Sequence, residues 1–336
     1  MKNRVLVTGA TGFTGKYLVP ALLSRGHDVR VLVRNESLAQ EAFGESCEIF
    51  KGDVTVPESL KNCCEGVDTV YHLAALMGHD LPSAEAFERF RRVNLYGTSN
   101  LVRECKAAGI KRFVHLSSTA AMGLLKEASA DERSECKPWT PYQVTKYEGE
   151  RFLLNEYEAN GFPVIVVRPS MVYGPGFKGD FLTMARVCGT GFFPRIGRGQ
   201  NLSPALYITD LIGALTLFLE KGSLGEIYLV SSARSYSLRE AAEIIGGALH
   251  KKVRFVYVPV WAALMGAGIL EKLYALKKKP PPVTRRNIRS VVTDRVFDIG
   301  KASAVGFAQK VPLEVGLRRT VEYYIQQNYI QMRAER

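Results

Sequence analysis

The chain opens with an apolar run, Val5-Leu6-Val7, that leads straight into three glycines at three-residue spacing: Gly9, Gly12 and Gly15, within Thr8-Gly9-Ala10-Thr11-Gly12-Phe13-Thr14-Gly15. A strand that turns on glycine and opens a helix aims backbone N–H groups at whatever lies beyond the helix start, and the positive end of the helix dipole favours an anion there. Glycine supplies the positive φ that such a turn needs and lets a ligand approach the backbone closely. The anion that fits between a strand and a helix in this way is a dinucleotide pyrophosphate, with Thr11, Phe13 and Thr14 filling the turn between the glycines. Small residues also end strands and pack helices on sheets, so the assignment depends on the elements that come next in the chain.

Those elements arrive on schedule. Leu18, Val19, Leu22 and Leu23 recur at helical spacing between Gly15 and about Arg25, Gly26 stops the helix, and 27–33 reads as a second strand. This completes a βαβ unit of roughly thirty residues. The end of the second strand is where such a fold meets the adenosine ribose. A carboxylate there would accept bonds from both ribose hydroxyls and repel a 2′-phosphate. This chain has Arg34 instead, and a guanidinium suits the 2′-phosphate, so NADP is favoured over NAD. Asp53, in Lys51-Gly52-Asp53-Val54 after a third short strand, is placed either to reach the adenine or to hold a turn.

Alternation continues with a helix near 57–65, a strand over 69–73, a long helix over about 83–108 and a strand over 112–116. The pattern predicts the α/β class: a Rossmann-type doubly wound parallel sheet with a smaller, mostly C-terminal substrate-binding part. Ligands in such sheets bind beyond the carboxyl ends of the strands. Ala74-Ala75 follows the fourth strand and leaves room for a cofactor to pass, and Ser117-Ser118-Thr119 follows the fifth.

A chain of 336 residues, 46% of them hydrophobic, can bury a large core. The six cysteines contain no CxxC pair and no histidines stand at ligand spacing, which predicts a reducing compartment and no metal. The start lacks a charged-then-apolar leader and no apolar run is long enough to span a bilayer, so a cytoplasmic location is expected. The net charge of +12 is concentrated late: from residue 251 onward, 17 Lys plus Arg stand against 6 Asp plus Glu. The densest stretch, Lys277-Lys278-Lys279-Pro280-Pro281-Pro282-Val283-Thr284-Arg285-Arg286, directly follows an apolar segment over 261–276. Two readings compete: peripheral contact of about 261–289 with an anionic membrane, or a substrate-domain helix packed in the core and followed by a solvated loop, which the sequence favours. Nothing resembles a recognition helix or a stacking platform for nucleic acid.

Tyr142 and Lys146, in Pro141-Tyr142-Gln143-Val144-Thr145-Lys146, stand at i, i+4 on one helix face. A phenol titrates near 10 in water, and an adjacent ammonium is expected to stabilise phenolate and bring proton exchange nearer neutral pH. Tyrosine can then hand a proton to an alkoxide, or take one from an alcohol, as a hydride moves, while a serine hydroxyl holds the reacting oxygen. Tyr274 and Lys278 repeat the spacing as a decoy, far from the nucleotide-binding part.

Together with Val93-Asn94-Leu95-Tyr96-Gly97-Thr98, Arg168-Pro169-Ser170-Met171-Val172-Tyr173-Gly174-Pro175-Gly176, Tyr207-Ile208-Thr209-Asp210-Leu211 and Phe297-Asp298-Ile299, these residues make the chain resemble the extended short-chain dehydrogenases/reductases, the NAD-dependent epimerase/dehydratase family, over nearly its whole length. The resemblance implies Asn94 as a residue that positions the lysine through water, Ser118 beside the substrate oxygen (with Thr119 able to substitute), Tyr142 as acid/base, and Lys146 as the group that lowers the phenol pKa and holds the nicotinamide ribose. It implies further cofactor contacts from Val54, Leu73, Ala74, Ala75, Pro169 and Ser170, a nucleotide-binding part over 1–168 plus about 206–250, a substrate part over about 169–205 and 251–336, and a homodimer.

Departures from the family pattern narrow the chemistry. Dehydratases place an Asp-Glu pair after the catalytic hydroxyl, where this chain has Thr119-Ala120. Many nucleotide-sugar members carry an arginine where Asn201-Leu202-Ser203-Pro204-Ala205 has no cation. Loss of that phosphate contact costs about 1.5 to 3 kcal/mol unless Arg195, Arg198 or a later cation replaces it. Candidate pocket residues Met77, Met122, Leu124, Trp139, Tyr173 and Phe177 are apolar, so the chain looks more similar to hydroxysteroid dehydrogenases and dihydroflavonol reductases. The expected activity is a ketone/secondary-alcohol oxidoreductase on an apolar small molecule. The alternatives are a nucleotide-sugar epimerase with tightly bound NAD and a non-catalytic NAD(P) sensor.

Overall fold

The computed structural model describes residues 3–78, 80–123, 129–276 and 283–330. Two compact units divide the chain. The first takes Met1–Val172, Ile208–Ser231 and Asp298–Gln309; the second takes Tyr173–Tyr207, Ser232–Phe297 and Lys310–Arg336.

In the first unit β1 (Arg4–Thr8), α1 (Phe13–Leu23), β2 (Asp28–Val33), α2 (Glu36–Phe43), β3 (Glu48–Lys51), β4 (Thr69–His72), α3 (Ala84–Arg91), α4 (Gly97–Ala108), β5 (Arg112–Leu116), α5 (Pro141–Asn160) and β6 (Val164–Pro169) precede a helix at Ile208–Lys221 and a strand at Glu226–Val230. The strands form one seven-stranded parallel sheet in the order Glu226–Val230, β6, β5, β4, β1, β2, β3. From β1 the chain winds outward to β3, then crosses back to place β4 on the other flank of β1. This reversal opens a crevice at the carboxyl ends of β1 and β4, the place where such sheets take ligands. Helices on both faces explain why the central strands read as unbroken apolar runs: Val5, Leu6, Val7 and Val164 through Val167 are all fully buried. Each such side chain contributes about 1.5 to 3 kcal/mol by leaving water.

α5 is defined at both ends. Thr140 and Gln143 form a capping box, Pro141 sits in the first turn, and Gly161 closes the helix in the left-handed conformation. The helix expected over 57–65 is a single 3-10 turn, Pro57–Leu60.

The long helix expected over 83–108 is interrupted. α3 and α4 are joined by a π turn, Arg92–Tyr96, in which the Gly97 N–H donates to the Arg92 carbonyl. Its cause lies in the spacing. Ala86, Phe90, Asn94 and Thr98 are buried at steps of four, and each step of four overshoots a regular turn by about 40°. A wider turn absorbs the accumulated drift and keeps Asn94 and Thr98 facing inward.

In the second unit, helix Leu238–Ala248 packs its Ala241, Ala242 and Ile245 side against the helices Asp180–Cys188 and Leu313–Gln326, and strands Phe192–Ile196 and Arg254–Val258 pair in parallel. Residues 232–250, which the sequence assigns to the nucleotide-binding part, therefore lie in the second unit, whereas 298–309 return to the first. There the Asp298 N–H donates to the Ala130 carbonyl at 2.8 Å. Helix Val260–Leu276 departs from the favoured expectation of a core helix, because Ala267 is its one buried residue. Among the described residues, no helix is long and apolar enough to cross a membrane.

Candidate active site

The glycine turn is built as a cradle. Gly9 holds φ +67°, and a Cβ there would lie 2.8 Å from the Ala74 nitrogen, so only glycine allows β1 and the segment after β4 to come this close. A Cβ on Gly15 would lie 2.3 Å from the Ala10 carbonyl, which packs the start of α1 directly onto the turn. The Gly12 N–H donates to Gly9 O at 3.0 Å. No side chain caps α1 and no acid lies in its first turn, so Thr11, Gly12, Phe13 and Thr14 surround a helix start that suits a diphosphate.

The remaining predicted cofactor residues sit at the same edge of the sheet. Arg34 directly follows β2 and is exposed; Glu36, two residues on, pairs with Lys51 at 3.1 Å. Asp53 engages one carboxylate oxygen with the Thr55 N–H and hydroxyl, both at 2.8 Å, so it holds a turn. Val54 is buried against Gly97, and its carbonyl accepts from Asn100. Leu73, Ala74 and Ala75 follow β4. Pro169 ends β6, and Ser170 is tied to the far strand through Val230 O and the Ser231 hydroxyl at 2.9 Å.

At the end of β5, Ser118 and Tyr142 come together, and the Ser118 oxygen accepts from the Ala120 N–H at 3.1 Å. Burial pushes the Tyr142 phenol up to about 12; the Ser118 bond draws it down, and the charge of Glu150 pushes it up. Lys146 Nζ donates to the Leu116 carbonyl at 2.6 Å, and burial lowers its own pKa to about 8 against the upward pull of Glu150. The ammonium thus has a backbone acceptor, and burial favours the neutral phenol. Phe90 meets the Tyr142 ring edge-on, with centroids 6.5 Å apart.

Asn94 is held by its side chain. Its oxygen accepts from Leu76 N at 2.7 Å, and its amide donates to Leu76 O at 3.1 Å and to the Thr145 hydroxyl at 3.0 Å. Its side chain thereby braces the segment after β4 against α5, one position before Lys146.

Several polar residues beneath the site were given no role by the sequence. Glu150, one further step of four along α5 from Lys146, accepts from Arg168 Nε at 3.0 Å, from Arg168 Nη2 at 2.6 Å and from Ser117 Oγ, and all three residues are buried. His72 bridges Thr8 and Thr98 at 2.8 and 2.9 Å, and burial lowers its pKa to about 3, so it is neutral. Thr8 Oγ1 in turn accepts from Ala74 N, which fixes the wall opposite Gly9. A charged residue extending the Tyr142, Lys146 face was the available signal for Glu150.

The predicted substrate residues separate. Met77 is exposed beside the site, whereas Met122 is fully buried and belongs to the core. Tyr173 is buried in the second unit, its ring 4.8 Å from Phe181; Phe177 is there too, its carbonyl accepting from the Tyr324 hydroxyl at 2.6 Å. Trp139 is partly exposed. Leu124 and the decoy partner Lys278 lie outside the described residues. Arg195 stacks over the Tyr257 ring at 5.5 Å.

Taken together, the glycine cradle, the open helix start and the hydroxyl pair fit a nicotinamide dinucleotide. Gly9, Gly12 and Gly15 would hold its diphosphate. When bound, that group supplies or accepts a hydride.

Comparison with known proteins agrees with this fit. The model of the NAD dependent epimerase/dehydratase family matches residues 5–231. A 4-hydroxy-2-methyl-3-oxo-4-farnesyl-3,4-dihydroquinoline-1-oxide ketoreductase of Stigmatella aurantiaca is 27% identical over 94% of this chain and 94% of its own length. A 3-beta-hydroxysteroid dehydrogenase of Mycolicibacterium neoaurum is 29% identical over 96% of this chain and 91% of its own. The crystal structure of UDP-glucuronic acid 4-epimerase from Bacillus cereus in complex with NAD superposes with a TM-score of 0.76 at 23% identity, covering 97% of this chain and 99% of that one.

Proposed function

This chain belongs to the NAD dependent epimerase/dehydratase family, and from that premise we propose that it reduces a ketone on a relatively apolar substrate to a secondary alcohol, with NADPH as the preferred donor. The observation that carries the reading is the meeting of Ser118, just past the end of β5, with Tyr142 in the first turn of α5, where burial favours the neutral phenol. A neutral phenol is the form that gives a proton. As hydride reaches the carbonyl carbon, the C=O electron pair moves onto oxygen, Ser118 holds that oxygen, and Tyr142 protonates it. Lys146 keeps the carbonyl end of β5 in register with α5 and places a cation behind the phenolate that remains.

Arg34 supports NADPH, since a guanidinium follows β2 where a carboxylate would repel the 2′-phosphate. Two features support an apolar substrate: no cation in 201–205, and relatives whose names specify a farnesyl-bearing ketone and a hydroxysteroid; Thr119-Ala120 in place of an acidic pair argues against dehydration.

The test follows nicotinamide absorbance with NADPH and NADH against ketosteroids, prenylated ring ketones and nucleotide sugars. We expect NADPH oxidation with an apolar ketone, a loss of at least about a hundredfold in Tyr142→Phe, and a fall of roughly tenfold or more in the NADPH-to-NADH affinity ratio in Arg34→Glu. Conversion confined to nucleotide sugars with no net absorbance change overturns the reading for an epimerase. An unchanged biological function in Tyr142→Phe overturns it for a nucleotide sensor.

A further inference from the structure

Helix Val260–Leu276 presents an apolar face that its own unit does not cover. Trp261, Met265, Ile269 and Leu273 follow one another at steps of four, and Leu276 continues the line; all five are between 50% and 84% exposed. At 100° per residue they fall within one side of the helix, together with Gly266 and a single charge, Lys272. Glu271 lies on the opposite side, where its carboxylate accepts from the Arg285 N–H and side chain. Tyr257, just before the helix, is also more than half exposed. A monomer rarely leaves so many large apolar side chains in a row on its surface unless something covers them.

The charge around this face favours one kind of occupant. Between residues 251 and 289 the sequence has ten Lys plus Arg and one acid, Glu271. Lys277-Lys278-Lys279 follows Leu276 immediately, and Arg285, Arg286 and Arg289 belong to the next helix, Arg285–Val291, which packs on this one. Two copies meeting through this face would bring two such cationic regions together. An anionic bilayer instead offers apolar depth for the stripe and negative headgroups for its flanks, and an exposed Trp and Tyr suit the boundary between them.

We propose that helix Val260–Leu276 lies along the surface of an anionic membrane, with Trp261, Met265, Ile269, Leu273 and Leu276 inserted and the flanking lysines and arginines on the headgroups. The helix does not cross the bilayer; it rests in the interface. The inference deepens the apolar-substrate reading by naming where such a substrate is met, but it stands on surface chemistry alone, and its test needs neither cofactor nor ketone.

The test is flotation of the full-length chain with phosphatidylcholine vesicles, with and without phosphatidylglycerol. We expect association with the anionic vesicles only, weakened by salt, and a blue shift of tryptophan emission that is absent in Trp261→Phe. Ile269→Gln/Leu273→Gln changes exposed positions and is expected to lower partitioning by at least about tenfold. Lys277→Gln/Lys278→Gln/Lys279→Gln is expected to lower it by roughly fivefold per charge on anionic vesicles. Circular dichroism confirms that each variant is folded. If the lysine variant alone is folded, its loss on anionic vesicles decides the matter. Equal binding to both vesicle types, or unchanged binding by folded variants, overturns the proposal. So does failure to bind any vesicle while Ile269→Gln/Leu273→Gln turns a dimer into a monomer, which assigns the face to a second copy.

Discussion

Replacing Lys146 by methionine separates what a buried ammonium does for the site from what it costs the fold. The residue is 3% exposed, and burial lowers its pKa from 10.5 to about 8. Each pK unit corresponds to about 1.4 kcal/mol, so carrying the charge costs the folded state about 3 kcal/mol at pH 7. Below about pH 8 the folded and unfolded chains both hold the proton, and the penalty is complete. Between about 8 and 10.5 the unfolded chain holds a proton that the folded one has lost, so stability climbs with pH; above that window the penalty is gone. Methionine carries no such penalty, but it leaves the Leu116 carbonyl without the bond from Nζ, a loss of about 1 to 3 kcal/mol. At pH 7 the two effects nearly offset. The diagnostic is the change in the gap between the proteins: urea unfolding at pH 7 and pH 10 is expected to show the lysine form gaining about 2 to 3 kcal/mol relative to Lys146→Met. Reductase activity in the variant is expected to fall by at least about a hundredfold. A gap that does not move with pH would show that the ammonium is solvated in the folded chain, and the electrostatic argument for this site would fail.

Two further outcomes rest on packing and pairing. Gly15→Ala forces a methyl to within 2.3 Å of the Ala10 carbonyl, so it is expected to cost at least about 1 to 3 kcal/mol and to weaken NADPH binding, read by thermal melting and cofactor fluorescence. Arg168→Met strands the buried Glu150 carboxylate and is expected to cost about 3 to 5 kcal/mol at pH 7, read by urea unfolding; Arg168→Met/Glu150→Leu is expected to be milder than the single change.

The sheet was legible because its strands announce themselves: fully buried parallel strands have no polar face, and a glycine turn follows the first of them. The positions of Ser118 and Tyr142 were legible too, one just past β5 and the other in the first turn of α5. The sequence was silent where side chains answer to backbone. Nothing in residue type says that Lys146 bonds the Leu116 carbonyl, or that Asn94 grips both backbone atoms of Leu76. Long-range polar contacts were equally hidden. Glu150 and Arg168 are 18 residues apart and look like ordinary charges until the fold buries them face to face. Helix Val260–Leu276 escapes sequence reasoning for a related reason: apolar composition predicts that a surface is covered, but not by what.

The π turn between α3 and α4 has a bearing on how this part of the chain can change. Deleting one residue there would heal the hydrogen-bond ladder and give a smoother rod, yet it would swing the first half of that rod through about 100°. Phe90 would leave the edge of the Tyr142 ring and Arg89 would take its place against the phenol. The irregularity is therefore a phase adjuster, and one amino acid of apparent slack keeps the Tyr142 ring covered on that side.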